Sequence, residues 1–225
     1  MKIQSNLVKR TLTGIVFVAV IIASILISRA SFFLVMAFLW GFMIFEYRKM
    51  LKENGSPDQK KSLWYSVFAY FYIILPFFFL ILLHRASPLV ALALFAFVWV
   101  NDTFAYLVGT KFGKTKLFER ISPKKTWEGF FGGLFFTIIA GVLFCYFVAD
   151  GFVAKFIIIW IGLAIVVVVF GTAGDLFESY IKRSLNVKDS GTLLPGHGGL
   201  LDRLDSILFA APAATAYLLL ASLWL

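Results

Sequence analysis

Apolar positions run in seven blocks, at 12–28, 31–45, 63–83, 87–108, 130–149, 154–174 and 206–225, with polar stretches between them. A helix that crosses the hydrocarbon core of a bilayer needs about 20 apolar residues, with about 17 at the lower end. Backbone N–H and C=O groups find no water in that layer, so the blocks predict membrane helices. The second block is short: it crosses with little tilt or re-enters on the same side. The fourth carries Asp102 inside it. The pattern predicts an all-α, polytopic membrane helix bundle of about seven transmembrane helices, a single integral-membrane domain over residues 1–225. Within it, 1–110 hold the N-terminal helices, 111–205 hold polar motifs interleaved with two transmembrane helices, and 206–225 form the last one.

Composition agrees with this pattern. The chain is 61% hydrophobic and 18% aromatic with 15% charged residues, against roughly 25% charged in soluble domains. The first block follows Lys9-Arg10 as a signal peptide would. However, Leu26-Ile-Ser-Arg-Ala30 is a weak cleavage site and another apolar block follows at once, so a retained helix is expected. Cys145 is the sole cysteine and reads as a small packing residue; no Cys/His cluster suggests zinc.

Charge supplies orientation. With the N-terminus in the cytoplasm, 18 of the 21 Lys and Arg residues fall on the inner side, leaving Arg29, Arg85 and Lys155 outside. The positive-inside rule therefore selects that topology, with the C-terminus outward after seven spans. The net charge of +9 becomes largely a property of one face, suited to anionic membrane lipid, and nothing suggests sequence-specific nucleic-acid binding. The stretch 52–61 reads as an ordinary turn-rich connector.

Three polar features on the inner side exceed what topology requires. Asn101-Asp102-Thr103 lies in the lower part of the fourth block, where a carboxylate either snorkels or caps a helix, or faces a polar cavity. Ser122-Pro-Lys-Lys-Thr-Trp-Glu-Gly129 predicts a helix start capped by Ser122. Lys124, Lys125 and Thr126 would then face a phosphate, although a basic membrane loop carries such lysines in any case. Glu128 has Lys124 or Lys125 as an expected partner.

The third feature begins at Gly171-Thr-Ala-Gly-Asp175. On a continued helix, Asp175, Glu178 or Ser179, and Lys182 share one face. The bland alternative is a helix-end Glu178–Lys182 salt bridge with Asp175 solvated. A second acidic pair, Asp202 and Asp205, precedes the last block, and such hard oxygen ligands suit Mg²⁺ with substrate phosphates. Gly196, Gly198 and Gly199 around His197 either make a turn or let backbone lie against a phosphate or base. His197 itself is a base, a phosphate donor or a buried structural histidine.

Ser179-x-x-Lys182-Arg183, Lys188-Asp189-x-Gly191, Leu194-Pro195-x-His197-Gly198-Gly199 and Asp202-Arg203-x-Asp205 together resemble the signature of phosphatidate cytidylyltransferases, the CDP-diacylglycerol synthases. Ser122–Gly129 and Asn101-Asp-Thr-x-Ala-Tyr106 look like that family too, so the resemblance covers the C-terminal half; the N-terminal quarter matches by hydrophobicity alone. It implies the reaction of CTP with phosphatidate to give CDP-diacylglycerol and pyrophosphate, at the cytoplasmic face of a bacterial inner membrane.

The implied metals are Mg²⁺ with K⁺ as a candidate second ion, and a homodimer is a candidate assembly. Asp175 and Asp202 would ligate metal, with Asp205 and Asp102 as further candidates, and Lys182 and Arg183 join Asp175 and Asp202 in the expected catalytic set. Ser122, Lys124, Lys125, Thr126 and Arg203 would bind substrate phosphates. Lys188, Asp189, His197, Gly198 and Gly199 would shape the nucleotide pocket. The rival readings are a CTP-dependent polyprenol or phytol-type lipid kinase and, ranked below it, an ion or anion transporter. The kinase would release CDP and a lipid phosphate. The transporter would need polar residues along several spans to both surfaces, whereas the outer halves here are almost purely apolar.

Overall fold

The computed structural model of the chain describes residues 2–54, 70–148, 154–191 and 198–223, with side chains over 11–53, 71–148, 156–191 and 198–223. These form α1 (Lys2–Ile27), α2 (Arg29–Asn54), a π-helical turn (Tyr70–Ile74) running into α3 (Leu75–Ala86), and α4 (Pro88–Phe112). Strands β1 (Lys116–Phe118) and β2 (Ser122–Thr126) follow, then α5 (Trp127–Val148), α6 (Ala154–Ser184) and α7 (Leu201–Ser222). Each helix carries one of the apolar blocks.

Five segments are long and apolar enough to cross a membrane: Arg29–Glu53, Pro88–Phe112, Trp127–Val148, Phe156–Ser184 and Leu201–Ser222. Within the described residues Thr11–Ile27 and Phe71–Ala86 are shorter apolar helices, so five of the seven expected spans are matched by length and composition. The chain is a multi-pass membrane protein. The second block is no short re-entrant element, because α2 continues through Glu46, Tyr47 and Arg48 to a length of 26 residues, or about 39 Å.

Local chemistry sets the breaks. At the α1–α2 link, Ser28 and Ser31 exchange hydrogen bonds, each hydroxyl accepting the other's backbone N–H at 3.0 Å, a reciprocal cap on α2. At the next link Ser87 turns extended (φ −159°, ψ 124°) and Pro88 opens α4, where the missing N–H costs nothing.

The bundle packs α4 on α5, α5 on α6, α6 on α7, and α7 on α3. The α4–α5 contact is close because α5 offers glycines: a Cβ on Gly129 would lie 2.6 Å from the Ala105 carbonyl oxygen. Without a hydrophobic force between helices in lipid, such small residues let backbones approach and gain dispersion contact. Phe32, Met36, Met43, Leu94, Phe95 and Phe97 are buried between helices, while Phe38, Phe135 and Ile158 face outward, as lipid contact allows.

The fold departs from the all-α expectation in one place. Ser122 caps no helix: Ser122–Thr126 pairs antiparallel with Lys116–Phe118, in the register Lys116↔Thr126 and Phe118↔Ser122. Pro123 is tolerated because a two-stranded hairpin consists of edges. The helix begins four residues beyond Pro123, and its cap is Thr126, whose hydroxyl accepts the Gly129 N–H at 3.2 Å. Glu128 binds neither lysine; its carboxylate accepts the Thr115 N–H at 3.0 and 3.2 Å and ties the hairpin to α5.

Candidate active site

A cavity of about 580 Å³ opens where the C-terminal half of α4, the hairpin, the start of α5, the end of α6 and the start of α7 meet. Helix periodicity explains the convergence. Asp102 and Tyr106 are four apart on α4, Thr172 and Asp175 three apart on α6, and Asp202 and Asp205 three apart on α7, so each pair shares a face. Lys124, Lys125 and Thr126 reach the cavity from β2, and Arg203 from α7. Part of the wall is apolar: Gly14, Phe17 and Val18 from the middle of α1, with Trp99 and Phe130. Fixed cations, carboxylates and an apolar wall therefore bound one space.

Asp175 is partly exposed; its carboxylate pairs with Lys125 at 2.6 Å and accepts the Ser179 hydroxyl at 3.4 Å. Asp102 is open to the cavity and accepts a long contact of 3.5 Å from the Asn101 amide. Asp205 is buried, and one of its oxygens accepts the N–H of Ser206 at 2.7 Å. Asp202 is loaded most heavily: it accepts Lys182 Nζ at 2.6 Å, the Ser190 N–H at 3.0 Å and the Gly199 N–H at 2.8 Å. Lys182 also pairs with Glu178, which is 1% exposed. The Glu178–Lys182 bridge foreseen as a bland helix-end pair is thus buried and shared with Asp202, and Asp175 is not merely solvated.

Among the described residues, no group of three or more His, Cys, Asp or Glu side chains stands ready to hold an ion by itself. Mg²⁺ is commonly held by one or two carboxylates together with substrate phosphates. Asp175 and Asp102 offer hard oxygens to one cavity with acceptor capacity to spare. This donor set fits an ion that arrives with a nucleotide, and it does not make an all-protein metal cage.

One acidic residue at this end was not singled out from the sequence. Glu46 of α2 is buried at 4% exposure, and its Oε2 accepts the N–H groups of Leu200 and Leu201 at 2.7 and 3.0 Å. Its sequence signal is slight: a lone carboxylate where an apolar block passes into a basic loop.

Comparison with known proteins decides the family. Residues 54–221 match the model of the cytidylyltransferase family. The chain is 34% identical over 220 residues to a Rickettsia typhi protein named phosphatidate cytidylyltransferase, covering 94% of this chain and 91% of the relative. The chain belongs to the cytidylyltransferase family. A Staphylococcus aureus protein of the same name is 49% identical over 120 residues, 52% of this chain and 44% of that protein. The Staphylococcus epidermidis counterpart is 50% identical over 123 residues, 53% of this chain and 45% of that protein. The match thus spans less than half the length of these staphylococcal relatives.

In this cytidylyltransferase the expected site residues divide into three groups. Asp102, Lys124, Lys125, Thr126, Asp175, Asp202, Arg203 and Asp205 line the cavity together. Lys182, Gly198 and Gly199 lie behind Asp202. Gly198 has φ +82° and stands so close that a Cβ would lie 2.9 Å from Asp202 Oδ2, which accounts for one glycine of the pair beside His197. Ser122, Arg183, Lys188 and Asp189 are not among the cavity's lining: Ser122 is in the hairpin, Arg183 donates to the Val187 carbonyl at 3.4 Å, and Lys188 and Asp189 are exposed. His197 lies outside the described residues, as does most of the 52–61 connector.

Proposed function

We propose that the chain is a phosphatidate cytidylyltransferase, transferring the cytidylyl group of CTP to phosphatidate and releasing pyrophosphate, in phospholipid synthesis. The observation that carries this reading is the single cavity that joins Lys124, Lys125 and Arg203 to carboxylates and to an apolar wall from α1. A lipid phosphate keeps its tails in the bilayer and its headgroup at the interface, and a triphosphate needs fixed cations beside it. In the family match and in the names of its relatives the reading has independent support.

The nucleophile is a phosphate oxygen of phosphatidate, already ionised at neutral pH, so no strong general base is required. It attacks the α-phosphorus of CTP; the bond between that phosphorus and the α–β bridging oxygen breaks, and pyrophosphate leaves with the electron pair. The chemical difficulty is bringing two anions together. Lys124, Lys125 and Arg203 lower it by charge neutralisation, and the rigid helix ends lower it by alignment. Asp175 and Asp102 would hold Mg²⁺, with Asp205 behind them. The ion would neutralise triphosphate charge and orient the phosphates. Asp202 is assigned to hold α7 and the Gly198–Gly199 turn in place. K⁺ is the second ion to titrate.

The N-in topology puts this end of the bundle in the cytoplasm of a bacterial cell, where CTP is available. Purified protein given CTP, phosphatidate and Mg²⁺ is expected to form CDP-diacylglycerol and pyrophosphate in equal amounts. CDP with a new lipid phosphate as products, from a polyprenol acceptor, would instead establish the lipid-kinase reading. Neither product with any lipid would refute both.

A further inference from the structure

We infer that Glu46 is a positioning residue for nucleotidyl transfer, fixing the start of α7 and the ends of the segment 191–199 from a helix more than 150 residues away in sequence. The inference rests on the proposed function for its kinetic part. Glu46 lies outside residues 54–221, so the family match assigns it nothing.

Three observations meet at this side chain. First, α7 lacks a cap of its own: Leu200 at its N-cap position supplies no side-chain hydrogen bond. The first two N–H groups of this helix start, those of Leu200 and Leu201, bond to Glu46 of α2. A carboxylate there also complements the positive end of the helix dipole. Second, both ends of the segment close on this group. A Cβ on Gly191 would lie 2.7 Å from Glu46 Oε1, and one on Gly199 would lie 2.9 Å from Oε2, so neither end admits a side chain without moving the carboxylate. Third, the residues that follow are cavity residues. Asp202 holds the Ser190 and Gly199 N–H groups, and Asp202, Arg203 and Asp205 line the cavity within about one helical turn of the atoms Glu46 binds.

A need for helix stability alone would be met by a neutral local cap, without burying a charge. The clamp from α2 instead fixes where α7 starts relative to the rest of the bundle. Glu46 touches no reacting atom in this account; it acts through Asp202, Arg203 and the glycine turn.

The test compares the parent with Glu46→Gln, Glu46→Asp and Gly191→Ala, with Glu53→Gln as the control on the same helix. Glu53 is exposed and pairs with Lys49 at 3.9 Å, so the control is expected to behave as the parent. Glu46→Gln is expected to lower kcat by about tenfold to a hundredfold, the scale of a small misplacement, with KM for CTP moving much less. Amide exchange at Leu200 and Leu201 should speed up while α7 beyond residue 208 exchanges as in the parent. Glu46→Asp should recover part of kcat, because it keeps the charge. Gly191→Ala keeps the carboxylate but crowds it, and should lower kcat in the same way; it decides the matter if Glu46→Gln does not accumulate in membranes.

Parental kcat and parental exchange in Glu46→Gln and Gly191→Ala would overturn the inference. So would a fall in kcat accompanied by a collapsed melting temperature and faster exchange along all of α7, which is the signature of a folding role. A parent that makes no CDP-lipid would refute the proposed function, while exchange at Leu200 and Leu201 would still decide whether Glu46 holds α7.

Discussion

Lys182 stands between Glu178 and Asp202, and both carboxylates lose their cation when it is replaced. Breaking a buried pair from one side costs about 3–5 kcal/mol, because the partner's charge stays buried. Lys182→Met should therefore lower stability in detergent by that order, measured by thermal unfolding. Lys182→Met/Glu178→Leu should recover part of the loss, since one of the two stranded charges is gone. A Lys182→Met protein as stable as the parent would show that the network contributes little. Lys124 and Lys125 separate by partner: Lys125 pairs with Asp175, whereas Lys124 is exposed. Lys124→Ala should raise KM for CTP or phosphatidate by about tenfold to a hundredfold, one charge-assisted contact of about 1.5–3 kcal/mol, without altering accumulation. Unchanged KM values for both substrates would leave Lys124 a topology signal only. At this scale the sequence was legible where the polar residue stood out from its apolar surroundings. Asp102, Asp175, Asp202 and Asp205 each interrupt or border an apolar block, and all four line one cavity. Glu46 borders a block as well, but its partners are two backbone N–H groups 154 and 155 residues away, and no local pattern encodes that pairing.

Helices reproduced the apolar blocks because each block had nowhere else to satisfy its backbone. The ends were harder to read. α6 runs to Ser184 and α7 starts at Leu201, well past the apolar limits at 174 and 206, since paired charges such as Glu178–Lys182 extend a helix beyond its greasy part. Ser122-Pro123 has the composition of a helix start, yet the hairpin prevails: the Trp127 N–H donates to the Thr115 carbonyl at 3.0 Å, a non-local bond that propensity does not show. The glycines of α5 were equally silent. A methyl on Gly129 would meet the Ala105 carbonyl, so Gly129→Ala should push α4 from α5, cost about 1–3 kcal/mol and reduce activity by opening the cavity. Gly41 of α2 has nothing within 4 Å of its Cβ position, so Gly41→Ala should be neutral or slightly stabilising. Equal melting temperatures for the two variants would contradict the close-packed α4–α5 contact.

Across the whole molecule, the links at Ser28 and Ser87 gather at one end, and the hairpin with its cavity lies at the other, near the C-terminus of α4. The N-in topology proposed above predicts that the two ends face opposite sides of the membrane. Lys188→Cys should react with an impermeant thiol reagent only in inverted vesicles, and Arg85→Cys only from outside intact cells; both positions are exposed, and the native Cys145 is fully buried. The reverse pattern would overturn the N-in topology and separate the cavity from cytosolic CTP. The central claim is that this cavity transfers a nucleotidyl group and not a terminal phosphoryl group. The most direct measurement gives the purified protein phosphatidate and CTP labelled at either the α- or the γ-phosphate. The account predicts α-label in the lipid product and γ-label in pyrophosphate; γ-label in the lipid would contradict it.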